Sequence, residues 1–172
     1  MTFKNTIIKG TGSYIPGQIR KNIDFISKEF YDENQKRIDA AGETIIEKFE
    51  KITGISERRY ADKNQVTSDI AAIAAQRAVD DADIDPESID QIILAHNFGD
   101  VQYKTKQSDN VPSLAARVKH RLNIKNPACV AFDILFGCPG WVQSMLLAHA
   151  HINAGMGKRF LLIGAETLSR VI

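Results

Sequence analysis

Residues 131–150 read AFDILFGCPGWVQSMLLAHA, and a change of period inside this stretch decides the architecture. Residues 129–134 form a short apolar run of strand length. From Cys138 or Pro139 to about Asn153 the pattern is helical, and Gly155 stops it. A strand passing through a short turn into a helix is the repeating unit of an α/β domain. Cys138 sits at the junction. Pro139 is preorganised for a first helical turn, where its missing N–H costs nothing. Gly140 leaves room for a close approach. The arrangement follows the logic of a nucleophile elbow. A helix start favours thiolate over thiol, and a thiolate is suited to exchange with a thioester. The competing use of a free cysteine is as a small buried hydrophobe. Cys129, inside the strand, reads as core.

The same alternation extends to both sides. Residues 7–12 read as a first strand, interrupted by Gly10 and Gly12 and closed by Pro16-Gly17. The charged stretch 22–51 carries Ile38, Ile45, Ile46 and Phe49 at spacings that suit one or two surface helices. Thr67 or Ser68 is placed to cap the next helix, whose apolar face is Ile70, Ala71, Ile73, Ala74, Ala78 and Val79. Asp85-Pro86 ends it, and IDQIILA (89–95) reads as a buried strand. Residues 96–111 are polar and read as a loop. Pro112 opens a helix with Leu114, Val118 and Leu122 on one side. Residues 159–164 form a last strand.

The chain has 172 residues, enough for a substantial core, with 44% hydrophobic and 25% charged residues. Lysine and arginine number 22 against 21 acidic residues, so no basic surplus points to nucleic acid or an anionic membrane. Neither a signal-peptide h-region nor an apolar run of membrane-spanning length is present. Two cysteines make neither a disulfide framework nor a zinc set. His149 and His151, two apart on one helix, do not share a face, so no metal site is expected. The plain expectation is a cytoplasmic protein with no membrane or nucleic-acid partner.

Six segments, taken together, carry a resemblance: GTGSYIP (10–16), TGISERR (53–59), IDQIILAH (89–96), VPSLAARVKHRL (111–122), AFDILFGCPG (131–140) and FLLIGAETLSR (160–170). In this order and spacing they resemble β-ketoacyl-acyl-carrier-protein synthase III, a condensing-enzyme family of the thiolase fold. The resemblance implies an α/β, thiolase-like fold: one βα half, residues 1–172, with a mixed central sheet flanked by helices. A second half would supply the family's catalytic His and Asn.

By that resemblance Cys138 is the acyl-accepting nucleophile, and its backbone N–H is one oxyanion donor. The acyl-cysteine condenses with decarboxylating malonyl-carrier protein in fatty acid biosynthesis. No cofactor is expected, CoA or phosphopantetheine thioesters being substrates. The partners are acyl carrier protein and a second copy of the chain. Thr44 and Arg170 match family positions near CoA, whereas Lys48 and Ile52 stand where members often carry a tryptophan and an arginine for the nucleotide. Losing that aromatic plate turns the expectation toward a carrier-bound donor, with Arg58, Arg59 and Lys48 as candidates to face an acidic partner. Val111 stands where members often carry phenylalanine, a residue that closes the neighbouring subunit's acyl pocket. A roomier pocket is therefore expected. His96 and Asn97, at a strand end, match no catalytic position and read as a loop anchor. Two alternatives share the fold: a synthase of alkylresorcinol or pigment precursors, and a non-catalytic partner subunit.

Overall fold

The computed structural model describes residues 5–171. In chain order its main elements are β1 (Gln18–Lys21), α1 (Gly42–Thr53), β2 (Glu57–Tyr60), α2 (Thr67–Ala82), β3 (Gln91–His96), β4 (Asp100–Val101), β5 (Ser108–Asp109), α3 (Leu114–Arg121), β6 (Val130–Leu135), α4 (Gly140–Asn153) and β7 (Phe160–Gly164). The described residues fall into two compact units: 5–15 with 63–171, and Pro16–Asp62.

The larger unit is built on a parallel sheet of order β6-β3-β7. All six residues of β3 are buried, as expected of a central parallel strand covered on both faces. Its side chains alternate between two layers. Ile92 and Leu94 join the cluster formed with α2 and α3 (Ala71, Ala75, Val79, Leu114, Val118), while Ala95 meets the start of α4. Strand pairing in the chain is mixed: parallel in this sheet, antiparallel in the ribbons β4-β5 and β1-β2. Leu114, Val118 and Leu122 are buried, as their spacing requires. No helix among the described residues is long and apolar enough to cross a membrane.

Several local expectations are corrected. Residues 7–12 are not a strand. The segment lies along α2, with the Thr11 amide donating to Asp81 Oδ2 at 2.8 Å. A Cβ on Gly10 would fall 2.5 Å from the Ala82 nitrogen, and one on Gly12 would fall 2.3 Å from the Ala78 nitrogen. The two glycines thus permit backbone to touch helix, and Ile7 and Ile8 stay exposed. Neither Thr67 nor Ser68 caps α2. Val66 is the cap position, its amide taken by Asp69 Oδ2 at 2.8 Å, and the two hydroxyls serve buried bonds to Thr167 and Asp100 instead. Pro112 precedes α3 without opening it. Ser113 is the cap, its Oγ accepting from the Ala116 amide. The supposed loop 96–111 contains the ribbon β4-β5.

In the smaller unit, α1 is the single α-helix of the stretch 22–51. It ends on Gly54 in the left-handed conformation (φ 67°), whose amide bonds the Glu50 carbonyl. The ribbon β1-β2 beside it gave no periodic signal, because its residues are mostly charged. Arg58 is used internally: its guanidinium lies over Phe25 and Phe49 and donates to Asn22 Oδ1 at 2.6 Å. It does not stand free for a partner. Arg59 pairs with Glu57 at 3.0 Å on the surface.

Candidate active site

Because β3, β6 and β7 are parallel and in register, His96 lies opposite Leu135 and Ala95 opposite Gly164. Their carboxyl ends therefore form one edge of the sheet. Three connections leave from that edge: 97–111, carrying Val111; 136–139, carrying Cys138; and 165–170, carrying Arg170. Parallel α/β sheets place functional groups there.

Cys138 is exposed in the turn between β6 and α4. Gly137 takes φ 74°, a conformation open to glycine at little cost, and the Gly140 amide bonds back to the Gly137 carbonyl at 3.0 Å. Pro139 occupies the cap position of α4, so the helix proper begins at Gly140 and Cys138 stands just before it. This shifts the expected helix start by a residue or two, within the ambiguity of helix ends. Gly140 has no room for a side chain, since a Cβ would meet the Ala95 Cβ at 2.9 Å. The first turn of α4 leaves amides without carbonyl partners inside the helix, next to the cysteine. Around it Leu135, Phe136, Trp141 and Val142 are exposed apolar surface. Cys129 is the opposite case: it is buried, and burial pushes its thiol up despite the pull of Lys119.

The base of the site is braced by ionic groups. His96 is buried, with Nε2 3.0 Å from Asp133 Oδ2, and its Nδ1 accepts the Gly99 amide at 3.0 Å. An acceptor role at Nδ1 places the ring hydrogen on Nε2, facing the carboxylate. Asp133 also accepts the first amides of α3, Leu114 at 2.7 Å and Ala115 at 2.8 Å. Burial opposes its ionisation. The His96 bond and the two amides outweigh burial and hold the carboxyl below its ordinary range. With both ring nitrogens engaged, His96 is a structural anchor. The Asn97 amide is held by Glu166 Oε2 at 2.8 Å.

Of the other anticipated residues, Val111 is 86% exposed. Arg170 donates from Nη2 to the Gln65 carbonyl at 3.0 Å, and its guanidinium lies 5.1 Å from the Tyr103 ring centre. Lys63 and Lys104 approach the same ring at 5.5 and 5.8 Å. Thr44 is exposed on α1 in the smaller unit, as are Lys48 and Ile52. Among the described residues no cluster of three or more histidine, cysteine or acidic side chains is placed to hold a metal. Sequence reasoning missed Asp133, Asp100, Arg117 and Glu166. The signal available was their position, a charged residue within or just after a strand, or one helical turn past a cap.

The family model described as 3-oxoacyl-[acyl-carrier-protein (ACP)] synthase III matches residues 132–172, the stretch from β6 through the cysteine turn to Arg170. The β-ketoacyl-[acyl-carrier-protein] synthase III of Caldanaerobacter subterraneus subsp. tengcongensis is 40% identical over 165 residues. The chain is β-ketoacyl-[acyl-carrier-protein] synthase III-like. That alignment covers 96% of this chain and 43% of the relative. A synthase III of Vibrio parahaemolyticus is 39% identical over 95% of this chain and 44% of its own. The chain thus spans less than half the length of the curated relatives it matches. Solved synthase III structures agree on the thiolase-like fold. That of Aquifex aeolicus superposes with a TM-score of 0.71 at 33% identity, covering 94% of this chain and 45% of that one. The Thermus thermophilus structure gives 0.73 at 31%, covering 97% and 44%.

Proposed function

We propose that this chain is the first half of a condensing enzyme that carries its acyl group on Cys138. The observation carrying the reading is an exposed cysteine in a glycine-shaped turn at the start of α4, on the edge where three parallel strands end. The Cys138 thiolate attacks the carbonyl of an acyl thioester, and the pantetheine thiolate leaves. The Cys138 amide, beside the helix start, donates to the developing oxyanion. Malonyl-carrier protein then loses CO2. The electron pair released forms a bond to the acyl carbon, and the Cys138 thiolate departs. By family resemblance, the His and Asn that assist decarboxylation belong to the second half.

Val111, Thr44 and Arg170 are the substrate-binding residues of this reading, Val111 facing the acyl pocket of a second copy. An acyl carrier protein is the partner, fatty acid biosynthesis the setting and the cytoplasm the location. No metal or resident cofactor takes part. A carrier-bound donor is favoured over free CoA, because Lys48 and Ile52 supply no aromatic plate for an adenine.

The test is release of CO2 from labelled malonyl-carrier protein by the full-length protein given an acyl thioester. CO2 and β-ketoacyl product should appear in equal amounts, and both should disappear in Cys138→Ala. Product formation that survives Cys138→Ala overturns the reading.

A further inference from the structure

Val111 is the most exposed of the large hydrophobic side chains among the described residues, at 86%, yet residues on either side of it are held by one side chain. Arg117, on α3, donates from Nη2 to Asp109 Oδ1 at 2.8 Å, two residues before Val111. From Nε it donates to the Pro112 carbonyl at 3.0 Å, one residue after. Its third arm, Nη1, reaches Asp100 Oδ2 at 2.8 Å on the opposite strand of the ribbon. Asp100 is itself fixed by the Ser68 amide at 2.7 Å and the Ser68 hydroxyl at 2.6 Å, at the buried start of α2. The guanidinium therefore ties both strands of β4-β5 and the residue after Val111 to the core.

Packing cannot order a side chain so exposed, so the position of Val111 depends on this fork. We infer that Arg117 is a positioning residue for acyl-chain selectivity: it holds Val111 outward, in a fixed place, to meet the acyl pocket of a second copy of the chain. The inference rests on the gate assigned to Val111 above and adds the group that makes the gate rigid. A planar guanidinium is required, because an ammonium cannot address three acceptors spread along one fork. Asp109 is the outer arm, 63% exposed and remote from the core, so its loss loosens the gate while leaving Asp100 paired.

The experiment measures acylation of Cys138 in the full-length protein by acetyl and octanoyl thioesters, as a ratio of the two rates. A ratio is unmoved by a general loss of folded protein. In the wild-type background Val111→Phe should lower the octanoyl-to-acetyl ratio by about tenfold or more, the discrimination a filled apolar pocket gives. In Asp109→Asn and Arg117→Lys backgrounds the same substitution should change the ratio by less than about threefold, the loss of additivity expected of coupled residues. An equal effect of Val111→Phe in all three backgrounds overturns the role of Arg117 and leaves the gate standing. No effect even in wild type removes the gate itself, and this inference with it.

Discussion

Asp133 shows how much one residue does at the base of the site. Its carboxylate caps α3 through two amides and orients His96, which in turn holds the Gly99 amide at the root of the ribbon connection. Replacing it with asparagine removes the charge on these bonds, which are worth about 1.5–3 kcal/mol each when charged. The pH dependence follows from the sign of its shift. An unfolded aspartate titrates near ~3.9, and Asp133 in the folded chain titrates lower. Its contribution is complete above the unfolded value and is lost as pH falls through the folded one. Urea denaturation of wild type and Asp133→Asn between neutral and strongly acid pH checks this. The gap between the two should be largest near neutrality and close at the acid end, and a constant gap refutes the assignment. The strand–turn–helix junction that holds Cys138 was legible because an apolar run passes through Gly-Cys-Pro-Gly into a helical period. Asp133 was hidden, because a lone acid in a strand looks like a surface alternation until its partners, 37 and 18 or 19 residues away, are seen.

At the scale of elements, whatever rested on burial could be read in advance. Strand β3 and helix α3 have apolar faces dictated by the core, and their residues are where the periodicity puts them, whereas the face of α2 is shifted: Ala72 and Ala75 are buried beside Ala71 and Val79, and Ile73, Ala74 and Ala78 are only partly so. The misread segments bury little or follow another element's backbone. β1, β2 and the ribbon β4-β5 are two to four residues long and held by charged side chains, and 7–12 follows the back of α2 in place of a strand edge. The junction of β6 and α4 depends on contact, and Gly140 is its tightest point. Gly140→Ala places a methyl 2.9 Å from the Ala95 Cβ, on a buried strand that cannot yield freely. The substitution should destabilise the chain by about 1–3 kcal/mol, as overpacking does, even though alanine is the better helix former. Urea denaturation measures it, and an unchanged or raised midpoint contradicts the packing described.

The larger unit is a braced scaffold whose connections gather at one edge of the sheet. The sheet brings the connections bearing Val111, Cys138 and Arg170 to one side, and the polar and ionic groups of His96, Asp133, Asp100, Arg117 and Glu166 fix the roots of those connections. The cysteine itself stands in the open among Leu135, Phe136, Trp141 and Val142, while the chain's other thiol is buried. Intact-protein mass spectrometry of the full-length protein after incubation with an acyl thioester, with no malonyl donor present, asks whether that edge carries the acyl group. Wild type should gain the mass of one acyl group, mapped by peptide analysis to Cys138. Cys138→Ala should gain none, and Cys129→Ala should behave as wild type. Equal acylation of wild type and Cys138→Ala, or an acyl group confined to Cys129, contradicts the central claim.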